Sequence, residues 1–202
     1  LAKQGVHLLI EKPISNSSKN ILKLVRMCNS KKSILMVGYN LRHMKSLSKF
    51  REILKKKTIG KIFSVRSEVG QYLPSWRLNS DYKKSVSARK ELGGGVLLEL
   101  SHDIDYLLWL FGKVKWVNST LHRQSDLKIN TEDTAHINLG FANTKKTNDI
   151  VANLNMDFTR HDTTRFCKVI GQLGTLYWDG VDGSIKLFKR GSNQWKTLLK
   201  KK

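Results

Sequence analysis

The chain has 202 residues, of which 40% are hydrophobic and 26% charged, and its formal net charge is +21. This size and balance suit one large or two small globular domains, and the most apolar helix-like stretch, Val96 to Phe111, is interrupted by Glu99, His102, Asp103 and Asp105, which argues against a helical membrane span. The opening shows no secretory signal pattern, and the isolated Cys28 and Cys167 form neither a metal motif nor a disulfide framework, so a reducing cytoplasm is the expected setting.

Val6, Leu8, Leu9 and Ile10 form an apolar run followed by Glu11, Lys12 and Pro13. The run predicts a strand buried on both faces of a parallel sheet. Ser15 to Ser18 offer N-cap candidates for a helix whose Ile21, Leu24, Val25 and Cys28 recur at helical spacing. "SILMVGYN" is a second apolar strand, which makes the opening a right-handed βαβ unit. Residues 1–40 therefore read as the C-terminal part of a doubly wound, Rossmann-like nucleotide-binding domain, and residues 41–202 as a second domain.

In the second part, Leu47, Phe50, Ile53 and Leu54 mark a helix, and "KIFSVRSEV" a strand. Residues 70–92 are polar and irregular, with Pro74, Trp76, Arg77 and Tyr82 among them; a segment of that length suits function or mobility. "GGGVLLELSHDIDYLLWLFG" predicts one helix with an apolar stripe of Leu97, Leu100, Ile104, Leu107, Leu108 and Phe111. Ala135, Ile137, Leu139 and Phe141 alternate with polar or small residues, as do Ala152, Leu154, Met156 and Phe158. That alternation predicts an antiparallel sheet with one open, polar face, continued by "RFCKVIG", "GTLYWDG" and "SIKLFKRG", with turns at Asp179-Gly180 and Asp182-Gly183. The fold class expected is thus α/β followed by α+β, a Rossmann remnant and then helices on one face of a mostly antiparallel, open-faced sheet.

"EKPIS", "GYNLRH", "SWR" and "GGGVLLELSHDID", in this order and spacing, resemble the Gfo/Idh/MocA family of NAD(P)-dependent oxidoreductases over nearly the whole chain. The resemblance implies a cofactor, NAD or NADP, and hydride transfer between nicotinamide and a hydroxyl-bearing carbon of a sugar, nucleotide sugar or cyclitol. It also implies a preceding Rossmann half with a Gly-rich phosphate loop. No G-x-G-x-x-G follows a strand here, so the chain is expected to be a fragment, or a decayed or split gene product.

Carried onto this sequence, the family's pattern makes Lys12 the group that stabilises an alkoxide and assists proton transfer, at the carboxyl end of a strand where open α/β sheets bind ligands. Pro13 is expected to be cis. His102 fits the general base, with Asp105 three residues on beside the substrate. The family commonly has an aspartate four residues before this histidine; that position here is Leu98, and Glu99 is the expected replacement that orients the imidazole. Trp76 and Arg77 match a W-R pair over the active site, where Arg77 would hold a carboxylate or phosphate; loop anchoring is the alternative for both. Glu11 and Asn40 match cofactor-side positions. No metal is expected.

The lysine excess, 27 against 10 arginines, is dispersed, with its densest runs at Lys55-Lys56-Lys57 and Lys200-Lys201-Lys202. Solvated surface lysine explains it more simply than a nucleic-acid partner, and an anionic small substrate is also compatible. The polar sheet face carrying His136, Asn138, Asn153, Asn155 and Asp157 is expected to join a homodimer or homotetramer. The rival readings are a non-catalytic truncated or split-gene product and a basic nucleic-acid-binding module.

Overall fold

Leu8–Ile10 (β1) and Leu35–Val37 (β2) pair in parallel, with Leu8 opposite Leu35 and Ile10 opposite Val37. The helix Ile21–Ser30 (α1) connects them, as the βαβ reading requires. The structure, a computed structural model, describes residues 1–142 and 150–200. Among these, the opening sheet has two strands only. The expected burial on both faces is therefore not met: Leu9 is 74%, Ile34 63% and Met36 46% exposed. A strand with one neighbour and no covering layer has nothing to exclude water from its outward side. The capping expectation also changes. Asn20, in the left-handed region, precedes α1 without a side-chain cap, while Ser15 and Ser17 accept from the amides of Ser17 and Lys19.

The helix Lys45–Lys55 (α2) leads into a second sheet of eight strands. These are Ile62–Gly70 (β3), Val114–His122 (β4), Thr134–Phe141 (β5), Ile150–Asp157 (β6), Thr164–Gly171 (β7), Gly174–Asp179 (β8), Ile185–Lys189 (β9) and Lys196–Leu199 (β10). Their spatial order is β10-β9-β8-β7-β3-β6-β5-β4. Every neighbouring pair is antiparallel except β3 and β6, which run parallel with Ser67 opposite Leu154. The turn between β8 and β9 is held by the Asp179 carboxylate, which accepts from the amides of Val181 and Asp182.

The alternation read from the sequence sorts the two faces. Ala135, Ile137, Leu139, Phe141, Ala152, Leu154, Met156 and Phe158 are buried under helices. On that side Phe50 meets Trp178 with ring centroids 6.4 Å apart, and the Trp178 Nε1 donates to Ser46 Oγ at 3.0 Å. The opposite face carries a polar ladder: Asn155 Nδ2 donates to Asn153 Oδ1, and Asn153 Nδ2 to Asn138 Oδ1.

The helix expected over 93–112 is two helices, Val96–Glu99 (α3) and His102–Phe111 (α4). At the joint the Asp103 amide donates to Leu100 O rather than to Glu99 O. The buried side is broader than the expected stripe, of which Leu100 and Leu107 are buried and Leu97, Ile104 and Phe111 pack against the core. Val96, Asp103 and Tyr106 are fully buried, whereas Leu108 is exposed. Polar partners draw that face inward: Tyr106 OH and Ser67 Oγ share a hydrogen bond of 2.5 Å, and the Tyr106 ring packs edge-on against Trp178.

Candidate active site

The carboxyl ends of β1 and β2 lie side by side, because the Gly38 amide donates to Ile10 O at 2.8 Å. A Cβ at position 38 would sit 3.2 Å from Glu11 Oε2, so the glycine permits this approach. The two strand ends deliver Glu11-Lys12 and Gly38-Tyr39-Asn40 to one edge. There Glu11, Gly38, Tyr39 and Asn40 line a cavity of about 290 Å³ together with Leu9, Met36, His43 and His102, with Lys12 the residue next to Glu11. His102, at the first residue of α4, is thus brought to the βαβ unit.

Lys12 follows a strand and precedes a cis peptide to Pro13. Its Nζ donates to the backbone oxygen of Glu99 at 2.7 Å. That carbonyl is available because the break between α3 and α4 withdraws its usual helical donor. One of three ammonium donors is thereby used, and the group keeps capacity for a second acceptor.

His102 is half-buried, and its ring meets Tyr39 edge-on with centroids 5.6 Å apart. Its Nδ1 is buried without a hydrogen-bond partner among the described residues. Burial, reinforced by the positive charges of Lys12 and Arg165, pushes its pKa down to about 4. The imidazole is therefore neutral at pH 7 and able to accept a proton, though it is a weaker base than its ordinary value suggests.

The hydrogen bond of the Glu99 carboxylate runs to Ser87 and not to His102: Oε2 accepts from Ser87 Oγ at 2.8 Å. The three-residue spacing would bring the two side chains together on a continuous helix, but Glu99 ends α3 and His102 starts α4. Asp105 is likewise committed elsewhere. Its two oxygens accept from Arg42 Nε at 2.7 Å and Nη2 at 2.6 Å, a two-pronged pair that ties the turn after β2 to α4. Arg42 belongs to "GYNLRH" yet was not among the expected site residues; a bidentate arginine partner for Asp105 has no signature in spacing.

Trp76 and Arg77 lie in a different crevice, lined also by Leu73, Ser80, Tyr82 and Ser87. Trp76 donates to Gln71 O at 3.1 Å and packs edge-on against Phe158 at 5.2 Å, an anchoring of the irregular segment. Arg77 is exposed. Neither lines the cavity that holds Glu11, Asn40 and His102. Ser87, which lines the second crevice, donates to the carboxylate of Glu99, the residue whose carbonyl holds Lys12. Asp103, next to His102, was also missed. It is fully buried, with Oδ2 3.2 Å from Arg165 Nε.

No group of three or more His, Cys, Asp or Glu that could hold a metal ion occurs among the described residues, and no helix there is long and apolar enough to cross a membrane.

Comparison with known proteins supplies relatives. An uncharacterized oxidoreductase of Synechocystis is 26% identical over 193 residues, covering 87% of this chain and 50% of its own length. A D-xylose dehydrogenase of Paenarthrobacter nicotinovorans is 28% identical over 116 residues, covering 57% of this chain and 30% of its own. The chain thus spans half or less of the relatives it matches. A solved levoglucosan dehydrogenase, in complex with NADH and L-sorbose, superposes with a TM-score of 0.81 over 98% of this chain and 55% of its own at 21% identity, a likeness of fold. The profile of the GFO/IDH/MocA C-terminal domain matches residues 47–177, and the chain belongs to that family of oxidoreductases.

Proposed function

We propose that this chain supplies the substrate-side half of an NAD(P)-dependent dehydrogenase acting on a hydroxyl-bearing carbon of a sugar-type molecule. The observation that carries this reading is the hydrogen bond from the Lys12 ammonium, on the βαβ unit, to Glu99 O, which holds that cation three residues before the imidazole of His102 at the start of α4; its charge helps to keep the imidazole neutral. The relatives that act on D-xylose and bind NADH with L-sorbose support the same chemistry. The nucleotide-binding half is expected on a preceding segment. Support for that comes from the exposed Leu9, Leu22, Ile34 and Met36 around the two-stranded sheet, a surface typical of a contact.

The residues at the β1–β2 edge fit the nicotinamide end of the cofactor. Glu11 and Asn40 offer polar contacts, Leu9 and Met36 an apolar wall, and the crevice opens at the carboxyl ends of parallel strands. When bound, the cofactor supplies the hydride acceptor or donor. Lys12, fixed by Glu99 O, holds the substrate oxygen and stabilises its developing negative charge. His102 accepts the hydroxyl proton on its exposed side; its neutral state at pH 7 keeps it ready. Tyr39 limits how far the imidazole turns. Residues 1–40 would then be the end of the nucleotide-binding domain, and residues 41–202 the substrate-binding and oligomerisation domain, with the Asn138–Asn153–Asn155 face as the subunit contact in a homodimer or homotetramer.

Assay of the intact protein with NAD or NADP and a panel of pentoses, hexoses and cyclitols, following nicotinamide absorbance, tests the reading. Saturable reduction that is lost in both Lys12→Ala and His102→Ala is expected. Turnover that survives His102→Ala at the wild-type rate would overturn the assignment of the base.

A further inference from the structure

A second cavity, of about 190 Å³, opens beside the break between α3 and α4, and its lining includes Gln71, Leu100, Thr163, Arg165 and Gly180. Arg165 stands at the start of β7. Its Nε donates to Oδ2 of Asp103, a fully buried carboxylate whose other oxygen meets no donor among the described residues. The terminal nitrogens of Arg165 make no hydrogen bond to a described residue, and the side chain is 23% exposed. Position 180 is shaped around this arginine. The Gly180 amide donates to Arg165 O at 2.7 Å, and a Cβ there would lie 2.6 Å from Arg165 Cγ and 2.8 Å from Cδ. The carboxylates of Glu68 and Asp157, at the same end of the sheet, are each paired with Arg160. Arg165 is also close enough to His102 to depress its pKa.

We propose that Arg165, aimed by Asp103, is the anion receptor of the His102 site and takes the carboxylate or phosphate group of an anionic sugar through its two terminal nitrogens. The inference rests on the reading of Lys12 and His102 as the reacting pair. A guanidinium anchored at Nε presents its two remaining nitrogens as a fixed fork, the arrangement that recognises two oxygens of one anion. Leu100 and Val69 give the cavity apolar walls, which strengthen such a contact. The Gln71 amide and Thr163 hydroxyl, which have no side-chain hydrogen bond among the described residues, are placed to meet the sugar's neutral oxygens. A guanidinium whose terminal nitrogens open onto a cavity is poorly used by a neutral polyol and well used by a uronate, an aldonate or a sugar phosphate.

Titration calorimetry of the intact protein with D-glucose, D-glucuronate and D-glucose 6-phosphate at low salt, paired with nicotinamide reduction, tests this. At least one anion should bind about tenfold or more tighter than glucose, the scale of a charge-assisted pair. Arg165→Gln should bring the anions' affinity down to that of glucose measured on the same variant, and Arg165→Lys should restore part of the margin. Preference for glucuronate identifies a carboxylate ligand, and preference for the phosphate ester a phosphoryl one. Should Arg165→Gln fail to fold because Asp103 is left buried and unpaired, the double variant Asp103→Asn, Arg165→Gln takes its place. Equal affinity for all three sugars, or an anion margin that survives loss of Arg165, overturns the proposal. Anion binding through Arg165 with no reduction of either cofactor leaves the receptor standing and sinks the reading of Lys12 and His102.

Discussion

The eight-stranded and two-stranded sheets treat the same kinds of residue differently. In the larger one Trp178, Leu154, Met156 and Phe158 are essentially fully buried, sealed by α2 and α4. In the smaller one, Leu9 and Met36 face outward although they are as apolar. The larger sheet is a closed layer with its own core, while the smaller holds to it through a few polar ties, chiefly Lys12 to Glu99 O and Arg42 to Asp105. Stability and chemistry are thus separated: burial resides in the second sheet, and the candidate ammonium group rides on the first.

The largest effect that tests this contrast is in the closed layer. Trp178→Ala removes a fully buried indole that touches Phe50 and Tyr106 and donates to Ser46, and should cost about 3–5 kcal/mol in urea unfolding. A loss below about 1 kcal/mol would mean that the core is looser than its burial implies. Next comes the chemistry of the small sheet. Lys12→Ala in the intact protein should lower kcat by roughly 10²-fold, the scale of losing a proton-transfer or charge-stabilising group.

The same substitution has a second readout. Lys12 is among the charges that hold His102 near pKa 4, so its removal should raise the imidazole pKa in a histidine NMR titration; an unmoved titration would place Lys12 away from His102. The sign for stability follows. A histidine with a lowered folded pKa stays neutral where the unfolded chain takes up a proton, so its contribution is lost as pH falls from about 6.5 towards 4. Glu99→Gln sharpens the seam further: because that carboxylate engages Ser87 and not His102, the pH–rate profile should keep its midpoint. A shifted acid limb would restore Glu99 as the partner of the base. The smallest effect belongs to Leu9→Ser. At 74% exposure it should change the stability of this chain by no more than about 0.5 kcal/mol, and a loss several times larger would reveal a covered surface.

Much of the architecture was legible where periodicity reports burial. The βαβ opening, α2, β3 and the alternating β5 and β6 appear where the pattern puts them. β4 was missed because all but one of its nine residues are exposed, which leaves no alternation of buried and open sides to read. The parallel pairing of β3 with β6 was also hidden, since nothing in either strand encodes which neighbour it meets. The helix break at Leu100-Ser101 escaped because apolar residues continue through it. That one omission misplaced Glu99, whose partner depends on which helix it ends. Arg42, Asp103 and Arg165 were passed over for a related reason: their roles arise from pairs 62 and 63 residues apart, beyond any local spacing.

The contact between Lys12 and the Glu99 carbonyl has a consequence for how such a site tolerates change. An acceptor supplied by the main chain cannot be deleted by replacing a side chain. Position 99 can therefore drift without releasing the ammonium, provided that the kink at Leu100-Ser101 persists. Vulnerability passes to residues that shape the kink and never touch the lysine. A substitution that straightens the two helices into one would recapture that oxygen for the Asp103 amide and set Lys12 adrift, with every expected active-site residue still in place.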